Sequence, residues 1–255
     1  MQAVIQIKNL NKQFGGIVVA DQIGLEVHAG EILGLIGPNG AGKTSLFNLI
    51  SGLYEIDSGD IFLNGMSLAG MSTVQRARQG IARTWQHMRL FPSMSVLENL
   101  CVATRNFGAE NLLNLMIRPL SLKQAQASTQ QKAMVTLERM QLHGLAHSSI
   151  GDLTFGQQKL VGLARALMND GNCLLLDEPM AGVEGAAYET IKDIVREEAL
   201  SGRAICVVEH NISFVKDLCS TAIFMANGKI LERGTVDDLL ASKTLETLYF
   251  GGAAT

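Results

Sequence analysis

The sequence predicts an α/β fold, a core of parallel strand–helix–strand units interrupted by a helical insert, and three observations carry that reading. The chain has 255 residues, 47% of them hydrophobic and 18% charged, which is enough apolar material for a substantial core and too little charge for disorder. In the last third, short apolar runs alternate with helix-patterned stretches, the order that builds parallel sheets. From about Ser95 to Leu142 the strand-like runs stop and helical spacing replaces them.

The elements follow in order. "AVIQI", "IVVADQIGLEV", "EILGLIG" and "GDIFLNG" read as strands separated by Gly, Asp and Asn turns. "SVLENLCVAT" and "SLKQAQASTQQKAMVTLERMQL" read as helices joined by the looser "RNFGAENLLNLMIRPL". "DLTFGQQKLVGLARAL" begins as a helix: Thr154 and Gln157 have capping-box spacing, and Leu160, Leu163, Ala164 and Leu167 share a face. Then "NCLLLD", "AAYETIKDIVREEAL", "RAICVVE" and "NISFVKDLC" alternate strand and helix, and "TLETLYFGGAAT" reads as a last helix that frays. Lys192, Arg196 and the acids near them read as a solvated helix face. No internal repeat or low-complexity tract breaks the pattern.

Several function classes lose support. A net charge of −3 offers no general attraction to nucleic acid or anionic lipid. Cys101, Cys173, Cys206 and Cys219 form no CxxC pair, and no His stands at metal spacing, so buried thiols in a reducing cytoplasm are the expectation. No run approaches the roughly 18–20 apolar residues that a membrane span needs, and the N-terminus lacks a signal-peptide core. A cytosolic protein able to dock on a membrane protein fits.

The chemistry begins in "EILGLIGPNGAGKTSLFNLI", where Gly37-x-x-x-x-Gly42-Lys43-Thr44 lies between a strand and a helix. Glycines let backbone N–H groups curl around a β-phosphate, and the helix that follows points its positive end at the anion. Lys43 reaches the β- and γ-phosphates and Thr44 offers a hydroxyl to Mg2+. Gly37, Pro38, Asn39, Gly40, Ala41, Gly42, Lys43, Thr44 and Ser45 are therefore candidates to bind a nucleoside triphosphate. A metal on those phosphates needs a carboxylate, and "NCLLLDEP" ends a buried strand in Asp177 and Glu178, at the sheet edge where ligands bind. Asp177 is placed to orient Mg2+ and Glu178 to polarise an attacking water. His210 ends the next strand, one strand–helix unit on, and can reach the γ-phosphate from the same edge. A lone strand-end His is more often structural; the company it keeps here changes that.

With these residues in one frame the chain resembles the ATP-binding subunits of ABC transporters over nearly its whole length. The resemblance implies a P-loop NTPase (RecA-like) core with an N-terminal antiparallel β subdomain and a helical insert subdomain. It implies a single domain over 1–255, with 1–94 and 160–255 as core and β subdomain, and 95–159 as the insert ending in the signature. Catalysis then falls to Glu178, His210 and Lys43, and Mg2+ to Thr44, Gln86 and Asp177. Gln86, in "RTWQHMRLF", matches the family's glutamine loop, Phe14 the aromatic that stacks on adenine, and "AGVEG" the loop at the dimer interface. "LTFGQQK" occupies the place of the Leu-Ser-Gly-Gly-Gln signature, which brings Thr154, Gly156 and Gln157 to the ATP of a second subunit. Phe155 replaces the first signature glycine, which argues against a positive φ or close backbone approach there, and Glu184 stands where Asp or Asn is usual.

These combinations look most like the branched-chain amino acid uptake branch. The implied cofactors are ATP and Mg2+. The implied partners are transmembrane permease subunits, a second ATPase subunit in a homo- or heterodimer and, indirectly, a periplasmic or extracellular substrate-binding protein, with no nucleic acid. The implied place is the cytoplasmic face of the inner membrane, as a peripheral subunit soluble when isolated. The competing readings are a soluble ABC-type ATPase acting on nucleic acid or ribosomes, and a P-loop kinase.

Overall fold

A computed structural model describes residues 3–104 and 119–242, side chains of 119–122 excepted. Most of the joining stretch "RNFGAENLLNLMIRPL" and the C-terminal helix expected in "TLETLYFGGAAT" lie outside them. The chain divides into two compact units: 1–83 with 171–180 and 195–255, and 84–170 with 181–194.

The first unit carries two sheets. β1 (Ala3–Phe14), β2 (Ile17–His28), β4 (Ser58–Leu63) and β5 (Met66–Ser67) form an antiparallel sheet in the order β2-β1-β4-β5. The second sheet has the order β10-β9-β3-β8-β7-β6, from β3 (Ile32–Ile36), β6 (Ile81–Arg83), β7 (Cys173–Asp177), β8 (Ala204–Val208), β9 (Thr221–Ala226) and β10 (Lys229–Thr235). All its pairs are parallel except β9 with β10. β3, β7 and β8 are buried along their whole length, which is why they read as continuous apolar runs. One core joins the sheets through α1 (Lys43–Ile50): Ile5, Leu10, Ile23 and Leu63 pack in one cluster with Leu46, Phe47, Leu49, Leu33 and Leu175. α2 (Thr73–Gln79) lies between β5 and β6.

The β9–β10 hairpin carries a local signal in its sequence. "MANGKI" holds an Asn227-Gly228 turn, both residues at positive φ (49° and 74°), the strongest short hairpin signal available.

The second unit is helical. It holds α3 (Val96–Cys101), α4 (Pro119–Arg139), α5 (Phe155–Leu167) and the first half of α6 (Ala186–Leu200), with α3, α4 and α5 packed on one another. α6 runs on into the first unit, followed there by α7 (Ile212–Leu218) and α8 (Val236–Leu240). The solvated face expected on α6 holds only in part. Arg196 is exposed, but Lys192 is 8% exposed, its ammonium 3.3 Å from Glu189 and over the Tyr188 ring, and Glu198 is buried against Arg203. A lysine stem long enough to cover apolar surface is counted as polar by pattern alone.

All four cysteines are free; Cys173, Cys206 and Cys219 are buried, and burial pushes the Cys173 and Cys219 thiols up to about 12. Among the described residues no helix is long and apolar enough to cross a membrane.

Candidate functional site

The sheet register assembles the site. Leu35 on β3 pairs with Val208 on β8, and Val208 with Asp177 on β7, so three parallel strands end side by side. The phosphate loop leaves β3, Glu178 leaves β7 and His210 leaves β8 at that shared carboxyl edge.

The loop's glycines are fixed by space as well as dihedral. A Cβ on Gly37 would meet the Met225 carbonyl oxygen at 2.0 Å; one on Gly42 would meet that of Val19 at 2.4 Å, and Gly42 sits at φ +101°. Gly42 caps α1 without a side-chain hydrogen bond, and the first turn carries no acid, so this helix end presents its donors uncontested to an anion. Lys43 is 5% exposed and donates from Nζ to the carbonyls of Gly37 (2.6 Å) and Pro38 (2.9 Å), folding over the cradle. Burial lowers its pKa, and the Glu178 and Asp177 carboxylates oppose that shift. Thr44 is exposed at the head of the same helix.

Glu178 holds a non-glycine positive φ of +47°, its N–H donating to the Val208 carbonyl at 2.9 Å. A carboxylate residue held in this sparsely populated conformation is a mark of functional sites. Its Oε1 lies 3.2 Å from His210 Nε2. Phe14 closes the β1 hairpin arm, 40% exposed, with Tyr54 edge-on at 5.0 Å and the Lys12 ammonium 4.9 Å from its ring centroid.

Two residues in this unit went unnoticed in the sequence. Glu209, 3% exposed, accepts N–H groups from Met180 (2.8 Å) and His210 (3.1 Å), tying together the turns that carry Glu178 and His210. Burial raises its pKa against those donors. Arg83 donates to Asp177 Oδ2 at 2.8 Å and also reaches α1.

The second unit holds Gln86, exposed in the loop after β6, with Trp85 stacked on the Arg89 guanidinium at 4.0 Å; that stacking braces the loop from within. It also holds Thr154, Gly156 and Gln157. The Thr154 hydroxyl accepts the Gln157 N–H (3.3 Å) and Gln157 Oε1 accepts the Thr154 N–H (2.9 Å), a full capping box. Phe155 is helical, without positive φ, and half exposed; its ring covers Gly182, where an added Cβ would lie 2.9 Å away. A Cβ on Gly156 would come within 3.0 Å of Ala187. The aromatic in the signature is thus accommodated by a glycine in the "AGVEG" loop.

Comparison with known proteins gives this arrangement its family. The family model described as ABC transporter matches residues 20–181. The chain belongs to the ABC transporter family. As an ABC cassette it is an ATP-binding subunit and an ATPase. It is 32% identical over 253 residues to the high-affinity branched-chain amino acid transport ATP-binding protein LivG of Escherichia coli K12, covering 99% of each chain. It is 29% identical to the corresponding protein BraF of Pseudomonas aeruginosa, covering 98% of each. A nucleotide-free ATP-binding cassette from an ABC transporter superposes with a TM-score of 0.86 at 29% identity, over 98% of this chain and 100% of that one. A cassette solved in its ADP conformation gives 0.85 at 28%, over 98% and 100%. The cassette fold is the expected P-loop NTPase fold.

Proposed function

We propose that this cassette is the energy-coupling subunit of an importer for branched-chain or similar amino acids, bound peripherally at the cytoplasmic face of the inner membrane to separate permease subunits. The observation that carries the catalytic part is the shared strand edge, with Glu178 and His210 3.2 Å apart beside the phosphate loop. The cargo rests on the named relatives, LivG and BraF.

In this reading Gly37 to Ser45 and Lys43 bind the triphosphate, and Phe14 stacks on adenine. Glu178 takes a proton from the attacking water, and His210, 3.2 Å from that carboxylate, holds it and faces the γ-phosphate. Among the described residues no cluster of three His, Cys, Asp or Glu could hold a metal by itself. The donors available within the first unit are the Thr44 hydroxyl and the Asp177 carboxylate. A few hard oxygens completed by phosphate suit Mg2+, which supplies charge neutralisation on the β- and γ-oxygens.

Thr154, Gly156 and Gln157 serve the ATP of a second ATPase subunit, identical or different. The capping box leaves that open: a hydroxyl accepting one N–H still has its own proton to donate to a phosphate oxygen. The start of α5 acts as both cap and phosphate ligand.

The test is reconstitution of the chain with its permease subunits in vesicles holding a branched-chain amino acid binding protein. ATP-dependent uptake of leucine, abolished by Glu178→Gln, is expected. Uptake that survives Glu178→Gln would remove Glu178 as the base, and absence of any stimulation by branched-chain amino acids would remove the cargo.

A further inference from the structure

We propose that Arg83 is a positioning residue for the metal site, one that holds the Asp177 carboxylate in a fixed orientation against the helix that carries Thr44. The inference rests on the reading above, in which Asp177 and Thr44 serve Mg2+.

Arg83 closes β6, and its guanidinium reaches both Asp177 and α1. Nη2 donates to Asp177 Oδ2 at 2.8 Å, while Nη1 donates to Asn48 Oδ1 at 2.7 Å and to Ser51 Oγ at 3.1 Å. The guanidinium also lies 5.6 Å from the Phe47 ring centroid. Both members of the ion pair are sequestered, at 5% and 1% side-chain exposure. Phe47, Asn48 and Ser51 stand three, four and seven residues after Thr44, so all four positions share one face of α1 and its C-cap. The fork therefore links the face of α1 that begins with Thr44 to one oxygen of Asp177.

A buried ion pair is a poor device for stability, since desolvation of both charges offsets their attraction. It is a good device for geometry, because a rigid planar fork holds its acceptors in fixed directions, whereas an ammonium is a rotating point charge on a flexible stem. With Oδ2 engaged by Arg83, Asp177 is held in one rotation about its terminal bond. Remove the fork and Lys43, already within electrostatic reach of Asp177, becomes a competing cation. The carboxylate then turns to the lysine and away from the metal.

The experiment measures binding of a fluorescent ATP analogue to the full chain, first in EDTA and then across a Mg2+ titration. Arg83→Lys and Arg83→Met should bind the nucleotide in EDTA as the native chain does. The Mg2+ concentration for half-maximal effect should rise about tenfold or more, the size usual when the residue orienting a metal ligand is lost. Asn48→Ala combined with Ser51→Ala keeps Arg83 and cuts its link to α1; the same rise, smaller, is expected, and this variant carries the test if Arg83→Met does not fold. An unchanged or lower Mg2+ requirement in Arg83→Lys and in the Asn48/Ser51 variant would overturn the proposal. Asp177→Asn in the same titration separates the two readings. If it raises the Mg2+ requirement and the Arg83 variants do not, only the role of Arg83 falls; if it changes nothing, the metal-site reading falls with it.

Discussion

In the proposed mechanism Glu178 concentrates the residue-scale chemistry, and its acid group, its positive-φ backbone and its histidine neighbour coincide. Glu178→Gln should keep nucleotide binding and lower turnover by about 10²–10⁴-fold, the contribution of a positioned base, as checked by phosphate release beside equilibrium ATP binding. Gly42→Ala puts a Cβ 2.4 Å from the Val19 oxygen at φ +101°, so a loss of about 1–3 kcal/mol in stability and a collapse of ATP affinity are expected from denaturant melts and nucleotide titration. Glu209 makes a pH prediction. Its folded pKa is raised, so the folded state holds the proton more tightly than the unfolded chain does. The stability that follows is present below the ordinary carboxylate range and is lost as pH rises through the raised folded value. Thermal unfolding across that interval should show a falling stability in the native chain and a flatter profile in Glu209→Gln; parallel profiles would contradict the assignment. Glu178, Asp177 and Lys43 stand out as candidates because their motifs are local. Arg83 and Glu209 do not, since each is one charge at a strand end whose partners lie far off in sequence: Arg83 meets Asp177 across 94 positions, and Glu209 meets Met180 across 29.

At the scale of elements, α5 illustrates what spacing can decide. The Thr154–Gln157 box is in place, and the apolar face of Leu160, Leu163, Ala164 and Leu167 is buried as periodicity requires. Thr154→Ala should destabilise the chain by about 1 kcal/mol, and Thr154→Ser by much less, measurable as shifts in a denaturant midpoint. Spacing could not reveal that Phe155 would lie over Gly182, because contacts between a helix start and a distant loop leave no period in the sequence. The short elements β5, β6 and α2 escaped for another reason: at two, three and seven residues they are too brief for a repeat to register. The β9–β10 hairpin had no such excuse, since its Asn-Gly turn is a local signal.

For the whole molecule, the alternation of strands and helices predicted a parallel sheet, and the observed order β10-β9-β3-β8-β7-β6 gives its physical reason: fully apolar strands need cover on both faces. The nucleotide loop, Asp177, Glu178 and His210 belong to one unit, and Gln86 with the signature belongs to the other. If the signature of one subunit completes the site of another, ATP and not sequence proximity brings the two halves of the chemistry together. The most direct measurement is the solution mass of the Glu178→Gln chain by light scattering, with and without Mg-ATP. The account predicts a doubling with ATP, for this chain alone or on mixing with its partner ATPase subunit. A mass that stays at one subunit in both cases, with ATP bound, would contradict it.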